Sequence, residues 1–248
     1  CTPACTEYAR SVYGSVFKQV VVVSSPAVAE MTKLLENSQR FINISFMNSL
    51  LQLCEELNIN LWEAIEAART KPYGFTPYYP GPGVGGHCIP VDPLYLLWKA
   101  RQHNINLPFI ELSRQVNHAM PDYVVAKIRD VLAPKPLSDC QLLIIGVTYK
   151  KDVNDIRESP APVIMEKLAQ AGARVSYHDP YVNQLQIGGK VYQNMPLTQR
   201  NMRRFDCTVI LTDHSNLPYE QLIAHSRLVV DTRNVTGNLP HKGKVVLL

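Results

Sequence analysis

The second half of the sequence alternates short apolar runs with segments of helical or loop character. The apolar runs are LLIIGV, RVSY, CTVIL and LVV, and a polar cluster follows each of them. Strands that alternate with helices favour a parallel, doubly wound sheet. We therefore predict an α/β domain of Rossmann-like architecture here, with ligands bound beyond the carboxyl ends of the strands.

Basic residues occur in two of these polar clusters. Lys150, Lys151 and Arg157 follow the first predicted strand, and Arg233 follows the last one. Lysine and arginine in such positions suit a diphosphate or a nucleotide. The alternative is a solvated cluster of surface charges.

The first half is dominated by one long predicted helix. Ser25 and Pro26 indicate its start, with serine as the N-cap and proline in the first turn. Apolar residues then recur at helical spacing to about Leu57. At 1.5 Å per residue this helix would be roughly 45–50 Å long, as expected of a spine between domains or a homodimer interface. A short helix and an apolar strand, QVVVVSS, are predicted before it, and shorter helices after it at NLWEAIEAART, from Asp92-Pro93 onward, and from about Pro108 to Val131.

The segment GPGVGGHCIP matches G-x-G-x-x-G through Gly81, Gly83 and Gly86. A dinucleotide fingerprint follows a buried strand and opens into a helix whose N-terminus receives the pyrophosphate. Here the preceding KPYGFTPYYP holds three prolines, and Pro90 lies where the first helical turn should form. We interpret the segment as a glycine-lined loop that delivers Cys88.

Cys88 precedes a predicted helix N-cap by four residues, where free amides and the helix dipole would stabilise a thiolate. A buried, inert thiol is the alternative. The adjacent His87 is interpreted as structural, because neighbouring side chains diverge. Asp92 is interpreted as the helix N-cap, as a carboxylate near the thiol, or as both.

Polar residues also interrupt the long helix. Lys33, Asn37, Arg40 and Asn48 lie on or near one stripe. A solvated face is the first interpretation of this stripe. If the helix is buried along much of its length, the lysine and an amide would instead serve as oxyanion donors.

Composition excludes several classes of function. The formal net charge is +4 and the basic residues are scattered, which does not indicate nucleic-acid binding. No apolar run approaches the roughly 20 residues needed to cross a bilayer. The six cysteines form no C-x-x-C pair, which favours reduced thiols. We expect a cytoplasmic protein without a metal site and without a nucleic-acid or membrane partner.

Several segments, in order, resemble the nucleotide-sugar (UDP-glucose/GDP-mannose) dehydrogenase family. AEMTKLLENSQRFINISFMNSL resembles its central helix and YPGPGVGGHCIPVDP its catalytic cysteine loop. GVTYKKDVNDIRESPA and VVDTRN resemble its UDP-binding domain. GGHCIPVDP and KPYGFTPYYPGPG are most similar to the branch that acts on UDP-N-acetylhexosamines, and Val91 replaces a lysine that is typical of the UDP-glucose branch.

The resemblance implies NAD-dependent oxidation of the sugar C6 alcohol to a carboxylate, through a thiohemiacetal and a thioester on Cys88. It implies that Lys33 and Asn37 stabilise the oxyanion, and that Asp92 assists the lysine and the water. The binding residues that it implies are Tyr79, Gly85, Lys150 and Arg233 for the UDP-N-acetylhexosamine and Arg157 for NAD.

The same resemblance divides the chain into a remnant of the NAD-binding domain (1–24), a helical central and dimerisation domain (25–120) and a UDP-binding domain (121–248). The family's dinucleotide loop, a threonine and a general-base glutamate are expected before Cys1, so the chain is expected to be inactive alone. Ser49 replaces a glutamate that is usual in the family.

Two other functions stay open. One is a non-catalytic module that binds a UDP-sugar and dimerises. The other is a cysteine hydrolase that uses Cys88 and His87, which the adjacent spacing of the two residues disfavours.

Overall fold

The first half of the chain is helical. A computed structural model describes residues 2–240 and 243–248. The helices of this half are α1 (Pro3–Gly14), α2 (Pro26–Glu56), α3 (Leu61–Arg69), α4 (Asp92–Gln102) and α5 (Pro108–Leu132). Among the described residues, no helix has the length and apolar character required to cross a bilayer.

The long helix α2 begins and ends where the sequence predicts. The Ser25 hydroxyl accepts a hydrogen bond from the Val28 amide at 3.3 Å, and Pro26 occupies the first turn. Leu57 is the C-cap. The helix packs mainly against α5 and α4. Its buried face is largely polar and comprises Asn37, Ser38, Phe41, Ser45, Met47, Asn48 and Leu51.

A second face of α2 is apolar and exposed, so the helix is not buried along much of its length. Met31, Leu35, Phe46 and Leu53 are 50% to 66% exposed. Their spacing places them on one side of the helix, together with Val28. The helices that follow cover only the opposite side.

The predicted strand QVVVVSS is also wrong. Residues 19–24 form no strand, and Val21, Val22 and Val23 are exposed. A strand is stable only when its backbone groups pair with a neighbour. No strand lies beside this segment within the described ranges, 2–240 and 243–248, and helix α1 before it buries no residue.

The second half forms the predicted α/β domain. Its strands β1, β2, β5, β6 and β7 make a parallel sheet in the order β2-β1-β5-β6-β7. The hairpin β3–β4 was not predicted, although Gly188-Gly189 between two short strands is a recognised turn signal. The bounds are β1 (Gln141–Ile145), α6 (Pro160–Gln170), β2 (Arg174–His178), β3 (Gln184–Ile187), β4 (Lys190–Gln193), α7 (Gln199–Met202), β5 (Cys207–Ile210), α8 (Tyr219–His225), β6 (Val229–Asp231) and β7 (Val245–Leu247).

Both faces of the sheet are buried, which confirms the doubly wound architecture. Along β1, Leu142 and Ile144 pack in the cluster that includes α5 and α6, whereas Leu143 and Ile145 pack with α7 and α8. This alternation follows from the two-residue period of a strand. The helix α5 contacts α2 on one side and α6 on the other. It runs without a break through residue 120, where the sequence predicts the boundary between the central and UDP-binding domains.

The strand order locates the ligand crevice. Because β2 and β5 lie on opposite sides of β1, the chain reverses its winding direction between β1 and β5, and such sheets bind ligands at that point. At the end of β1, Gly146 has a positive φ of 80°, and a Cβ there would lie 2.4 Å from the Thr212 Cβ. This glycine lets the segments after β1 and β5 approach closely.

Candidate active site

One cleft of about 540 Å³ lies between the helical half and the sheet, at the carboxyl ends of the strands. It is lined by the glycine loop, by α2 and by the segments that follow β1 and β6. The sequence-predicted residues that it brings together are Tyr79, Gly85, Cys88, Lys150, Arg157 and Arg233. Residues from both predicted domains therefore share one site.

The glycine loop is attached to both halves of the protein. The Gly81 amide donates to Asn48 Oδ1 on α2 at 2.9 Å, and the Gly86 amide donates to the Arg157 carbonyl at 2.9 Å. Asn48 therefore holds the loop on the helix, a role that differs from the oxyanion donor weighed for it from the sequence.

A third attachment comes from Asn117 on α5. Its Oδ1 accepts from the Val84 amide at 2.7 Å, and its Nδ2 donates to the Val84 carbonyl at 3.2 Å. One side chain thus forms hydrogen bonds with both the backbone N–H and the backbone carbonyl of Val84. The sequence contains no local signal for this contact, because Asn117 is one of several polar residues in an amphipathic helix.

The paired glycines serve close packing against the segment after β1. A Cβ on Gly85 would lie 2.5 Å from the Glu158 carbonyl oxygen and 2.7 Å from the Tyr149 Cβ. A Cβ on Gly86 would lie 2.7 Å from the Tyr149 ring. The space beside Gly85 is therefore filled by protein. Tyr149, which sequence reasoning did not select, forms part of the cleft wall.

Lys33, Asn37 and Asp92 form one hydrogen-bonded group next to the cleft. Lys33 Nζ lies 2.8 Å from Asp92 Oδ2, and Asn37 Nδ2 donates to the same oxygen at 3.1 Å. The interpretation of Asp92 as an N-cap is wrong: Val91 takes that position, and Asp92 is the first residue of α4. Its carboxylate points across to α2 and does not cap its own helix.

This group lies close to the thiol. The hydrogen bond to Asp92 and its negative charge raise the pKa of Lys33, and Cys88 lies near enough to add a smaller contribution. The Cys88 side chain is exposed, and His87 beside it is exposed too. The His87 carbonyl accepts from the amides of Val91 and Asp92, which makes the turn that leads into α4.

Arg157 approaches Cys88 from the C-terminal half. Its Nη2 lies 2.6 Å from Asp155 Oδ2, and its Nε donates to both oxygens of Asp155 at 3.0 Å. These hydrogen bonds lower the pKa of Asp155 to about 2 and raise that of Arg157, to which Cys88 also contributes. The guanidinium is therefore oriented before any ligand binds.

The cleft is lined by cations without a carboxylate among its described lining residues. Arg40 and Arg157 are paired with Glu36 and Asp155, which lie outside the lining. Lys150 and Arg233 form no ion pair within the described part of the chain. The unpaired charges favour an anionic ligand.

Arg233 is the more constrained of the two unpaired cations. Its Nε donates to the Leu211 carbonyl at 2.9 Å, which fixes the plane of the guanidinium. A Cβ on Gly81 would lie 2.8 Å from its Nη1, so a side chain at that position of the loop would displace the guanidinium. Loss of solvent lowers the pKa of Arg233, and the neighbouring Asp213 and Asp231 only partly offset this effect.

The ring of Tyr79 lines the cleft, but its hydroxyl does not face a ligand. The hydroxyl donates to Glu66, and the ring stacks on Trp62 with a centroid distance of 5.6 Å. A larger and more open crevice of about 1010 Å³ lies on the other side of this stack, between α3 and β7. It contains no sequence-predicted site residue, so the cleft at Cys88 is the stronger candidate.

Two family models match the chain. Residues 27–119 match the UDP-glucose/GDP-mannose dehydrogenase family, central domain, and residues 143–238 match the same family's UDP binding domain. The chain belongs to the UDP-glucose/GDP-mannose dehydrogenase family, which confirms the resemblance seen in the sequence.

Individual relatives are dehydrogenases of nucleotide sugars. The chain is 34% identical over 240 residues to a UDP-N-acetyl-D-mannosamine dehydrogenase of Methanococcus vannielii, covering 94% of the chain and 54% of the relative. It is 33% identical to an NDP-N-acetyl-D-galactosaminuronic acid dehydrogenase of Ralstonia nicotianae, with the same coverage. The chain spans about half the length of the curated relatives it matches.

Among solved structures, a UDP-D-ManNAc dehydrogenase from Pyrococcus horikoshii is similar in fold. Its TM-score is 0.83 at 28% sequence identity, and the match covers 99% of this chain and 57% of the other. The helical half and the parallel sheet described above are thus the architecture of this family.

The Asn117 attachment can be tested directly. We expect Asn117→Ala to increase hydrogen exchange across residues 81–88, because the part-buried Val84 amide loses its acceptor, at a cost of roughly 1 kcal/mol. Exchange in β1 should stay slow. Asn43→Ala is the matched control, since Asn43 bonds only to its own helix. Unchanged exchange across the loop would contradict the role of Asn117.

Proposed function

We propose that these residues are the central and UDP-binding parts of an NAD-dependent UDP-N-acetylhexosamine 6-dehydrogenase. The observation that carries this proposal is the single cleft in which the Cys88 loop faces two unpaired cations, Lys150 and Arg233. A thiol next to an anion-binding surface suits a substrate that carries a diphosphate at one end and a reactive carbon at the other.

The cations suit the diphosphate. Arg233 presents a fixed, partly desolvated guanidinium, and such groups bind phosphate oxygens by charge-assisted, bidentate hydrogen bonds. Lys150 lies on the segment after β1 and adds a second, more flexible charge. The ring of Tyr79 supplies an aromatic surface, and its hydroxyl is already used by Glu66.

The thiol side suits an aldehyde at C6. Addition of the Cys88 thiol to the carbonyl forms a carbon–sulfur bond, and the thiol proton ends on the carbonyl oxygen to give a thiohemiacetal. Lys33 has three N–H donors and Asn37 has two, and Asp92 takes only one from each. The remaining donors would stabilise the oxyanion, and Asp92 would hold both side chains in place.

Once the thiohemiacetal has been oxidised to a thioester, the same group would support hydrolysis to the carboxylate. Asp92 would then orient the attacking water, and Lys33 and Asn37 would again face the oxyanion. The N-acetylhexosamine is proposed as the sugar because relatives at 33% to 34% identity carry names of that class.

NAD, when bound, supplies the hydride acceptor for the oxidation at C6. The glycine loop does not fit the dinucleotide, because α4 begins only at Asp92 and the loop glycines contact Arg233, Asn117 and Tyr149. Arg157, close to Cys88, is the candidate that would face NAD.

A second candidate function is a non-catalytic module that binds a UDP-sugar and dimerises. It is favoured by the glycine loop, which does not fit a dinucleotide, beside a cleft whose two unpaired cations suit a diphosphate. The free thiols at Cys5, Cys54, Cys88, Cys140 and Cys207 support a cytoplasmic setting for either function.

The binding proposal predicts a ligand preference. In calorimetric titrations of the 248-residue chain, UDP and UDP-N-acetylglucosamine should bind weakly but more tightly than NAD. Arg233→Ala should raise the Kd for UDP about 10- to 100-fold, because a charge-assisted contact is lost. Arg227→Ala is the control, since that arginine is exposed and paired with Asp206. Tighter binding of NAD than of UDP would refute the assignment.

We also propose a homodimer through α2. The exposed stripe of Val28, Met31, Leu35, Phe46 and Leu53 supports it, because apolar side chains left exposed along one side of a helix mark an interaction site.

Light scattering at micromolar concentration should therefore give the mass of a dimer. Leu35→Glu should shift the chain to a monomer, because it introduces a charge at the centre of the stripe. Val191→Glu, which changes an exposed apolar residue of β4, should leave the dimer intact. A monomeric parent chain would exclude this interface.

A further inference from the structure

A fully buried histidine lies beneath the segment that carries Lys150. His214 follows β5, and its ring is completely enclosed. Nε2 lies 3.0 Å from Asp179 Oδ2, and Nδ1 accepts a hydrogen bond from the Asp152 amide at 3.0 Å. The histidine thus connects the ends of β1, β2 and β5 at the edge of the sheet that borders the cleft.

These hydrogen bonds determine the tautomer of His214. A backbone amide can only donate a hydrogen bond, so Nδ1 is unprotonated and accepts it. The proton therefore lies on Nε2, which donates a hydrogen bond to Asp179. Neither nitrogen has a free lone pair. His214 is therefore not available as a general base, and its arrangement is that of a fixed connection between segments.

The Asp179 carboxylate is also held by several hydrogen bonds. It accepts from the amides of Val147 at 2.7 Å and Tyr181 at 2.8 Å in addition to His214. Burial alone would raise the pKa of Asp179, but these hydrogen bonds outweigh it and the pKa lies below its usual value. The carboxylate therefore stays charged and holds the His214 ring in one orientation.

The consequence falls on Lys150 and its two successors. The Lys150 carbonyl accepts from Thr148 Oγ1 at 2.9 Å, and that hydroxyl lies 3.3 Å from His214 Nε2. The Asp152 amide is held by His214 Nδ1. Both ends of the Lys150–Asp152 segment are thus fixed from beneath, while the Lys150 side chain stays exposed in the cleft.

The conformation of Asp152 shows that this segment depends on its contacts. Its φ is +60°, a left-handed conformation that is uncommon for residues other than glycine. The Asp152 carboxylate accepts from the Ser215 amide at 2.8 Å and from the Ser215 hydroxyl at 2.6 Å. His214 and Ser215 therefore bind Asp152 directly, inside a loop that the Tyr149 amide closes on the Asp155 carbonyl at 3.0 Å.

We propose that His214 is a positioning residue for Lys150: it holds the segment Lys150–Asp152 so that the ammonium group faces the diphosphate of the bound nucleotide sugar. This inference rests on the proposed role of Lys150 in binding UDP. It assigns His214 no contact with the ligand and no part in proton transfer.

Two substitutions separate the bonds that His214 makes. In His214→Asn the amide oxygen takes the place of Nδ1 and keeps the acceptor for the Asp152 amide. In His214→Gln the amide nitrogen takes the place of Nε2, keeps the bond to Asp179 and leaves the Asp152 amide without a partner. We expect His214→Gln to raise the Kd for UDP about tenfold and His214→Asn less than about threefold. Equal effects, or the reverse order, would overturn the proposal.

A double-mutant cycle with Lys150→Ala distinguishes positioning from a general effect on the fold. If Lys150 binds UDP, its removal weakens binding, and adding His214→Gln then changes the Kd little further. Losses that simply add would show that His214 acts independently of Lys150, which overturns the inference alone. An unchanged Kd in Lys150→Ala would refute the proposed role of Lys150 and the inference with it.

Thermal unfolding of each variant is measured first. If His214→Gln does not fold, Ser215→Ala replaces it in the same cycle, because it removes one exposed hydrogen bond to Asp152. A higher Kd for UDP that disappears in the Lys150→Ala background would support the proposal. A Kd equal to that of the parent chain would overturn it.

Discussion

The contact between the glycine loop and the segment after β1 is the constraint on which the site depends. One continuous apolar core runs from α2 and α3 through α5 to the sheet, and the glycine loop closes on the sheet because Gly85 and Gly86 lie directly against Tyr149 and Glu158. Any side chain at either glycine would force the loop away from the sheet. The glycines that resemble a dinucleotide fingerprint are thus explained by close approach of two protein segments.

Around that contact, the charges are arranged in two groups. On the thiol side, Asp92 binds both Lys33 and Asn37, so the positive charge next to Cys88 is held by a carboxylate. On the sheet side, Lys150 and Arg233 have no carboxylate partner among the described residues, and Arg233 is partly desolvated. A ligand with a diphosphate at one end and a reactive carbon at the other suits this division. Its diphosphate would face Lys150 and Arg233, and its reactive carbon would face the thiol side.

The sequence predicted much of this, for physical reasons. The Ser25-Pro26 start of α2 is a local capping signal and needs no tertiary information. Four strands of the sheet, β1, β2, β5 and β6, were predicted because they are short and largely apolar runs in a sheet buried on both faces, whereas the half-buried β7 was not predicted. Cys88 and Arg233 were selected because their residue types and positions at the ends of elements limit what they can do.

What could not be predicted depends on contacts that are distant in sequence. The clamp of Asn117 on Val84 joins residues 33 positions apart and leaves no periodic pattern. The segment QVVVVSS has strand composition, yet a strand also requires a neighbour. Asp92 has the residue type of an N-cap, but its carboxylate binds α2, because Lys33 and Asn37 offer stronger partners than the amides of its own helix.

The central claim is that Cys88 captures a C6 aldehyde held by the nucleotide cleft, and this step needs no oxidant. The direct measurement is a carbon-13 NMR spectrum of the chain with a UDP-N-acetylhexosamine 6-aldehyde labelled at C6. The account predicts a resonance from a sulfur-bonded C6 that is absent in Cys88→Ser and is removed by excess UDP. No such resonance with the parent chain, or the same resonance in Cys88→Ser, would contradict the account.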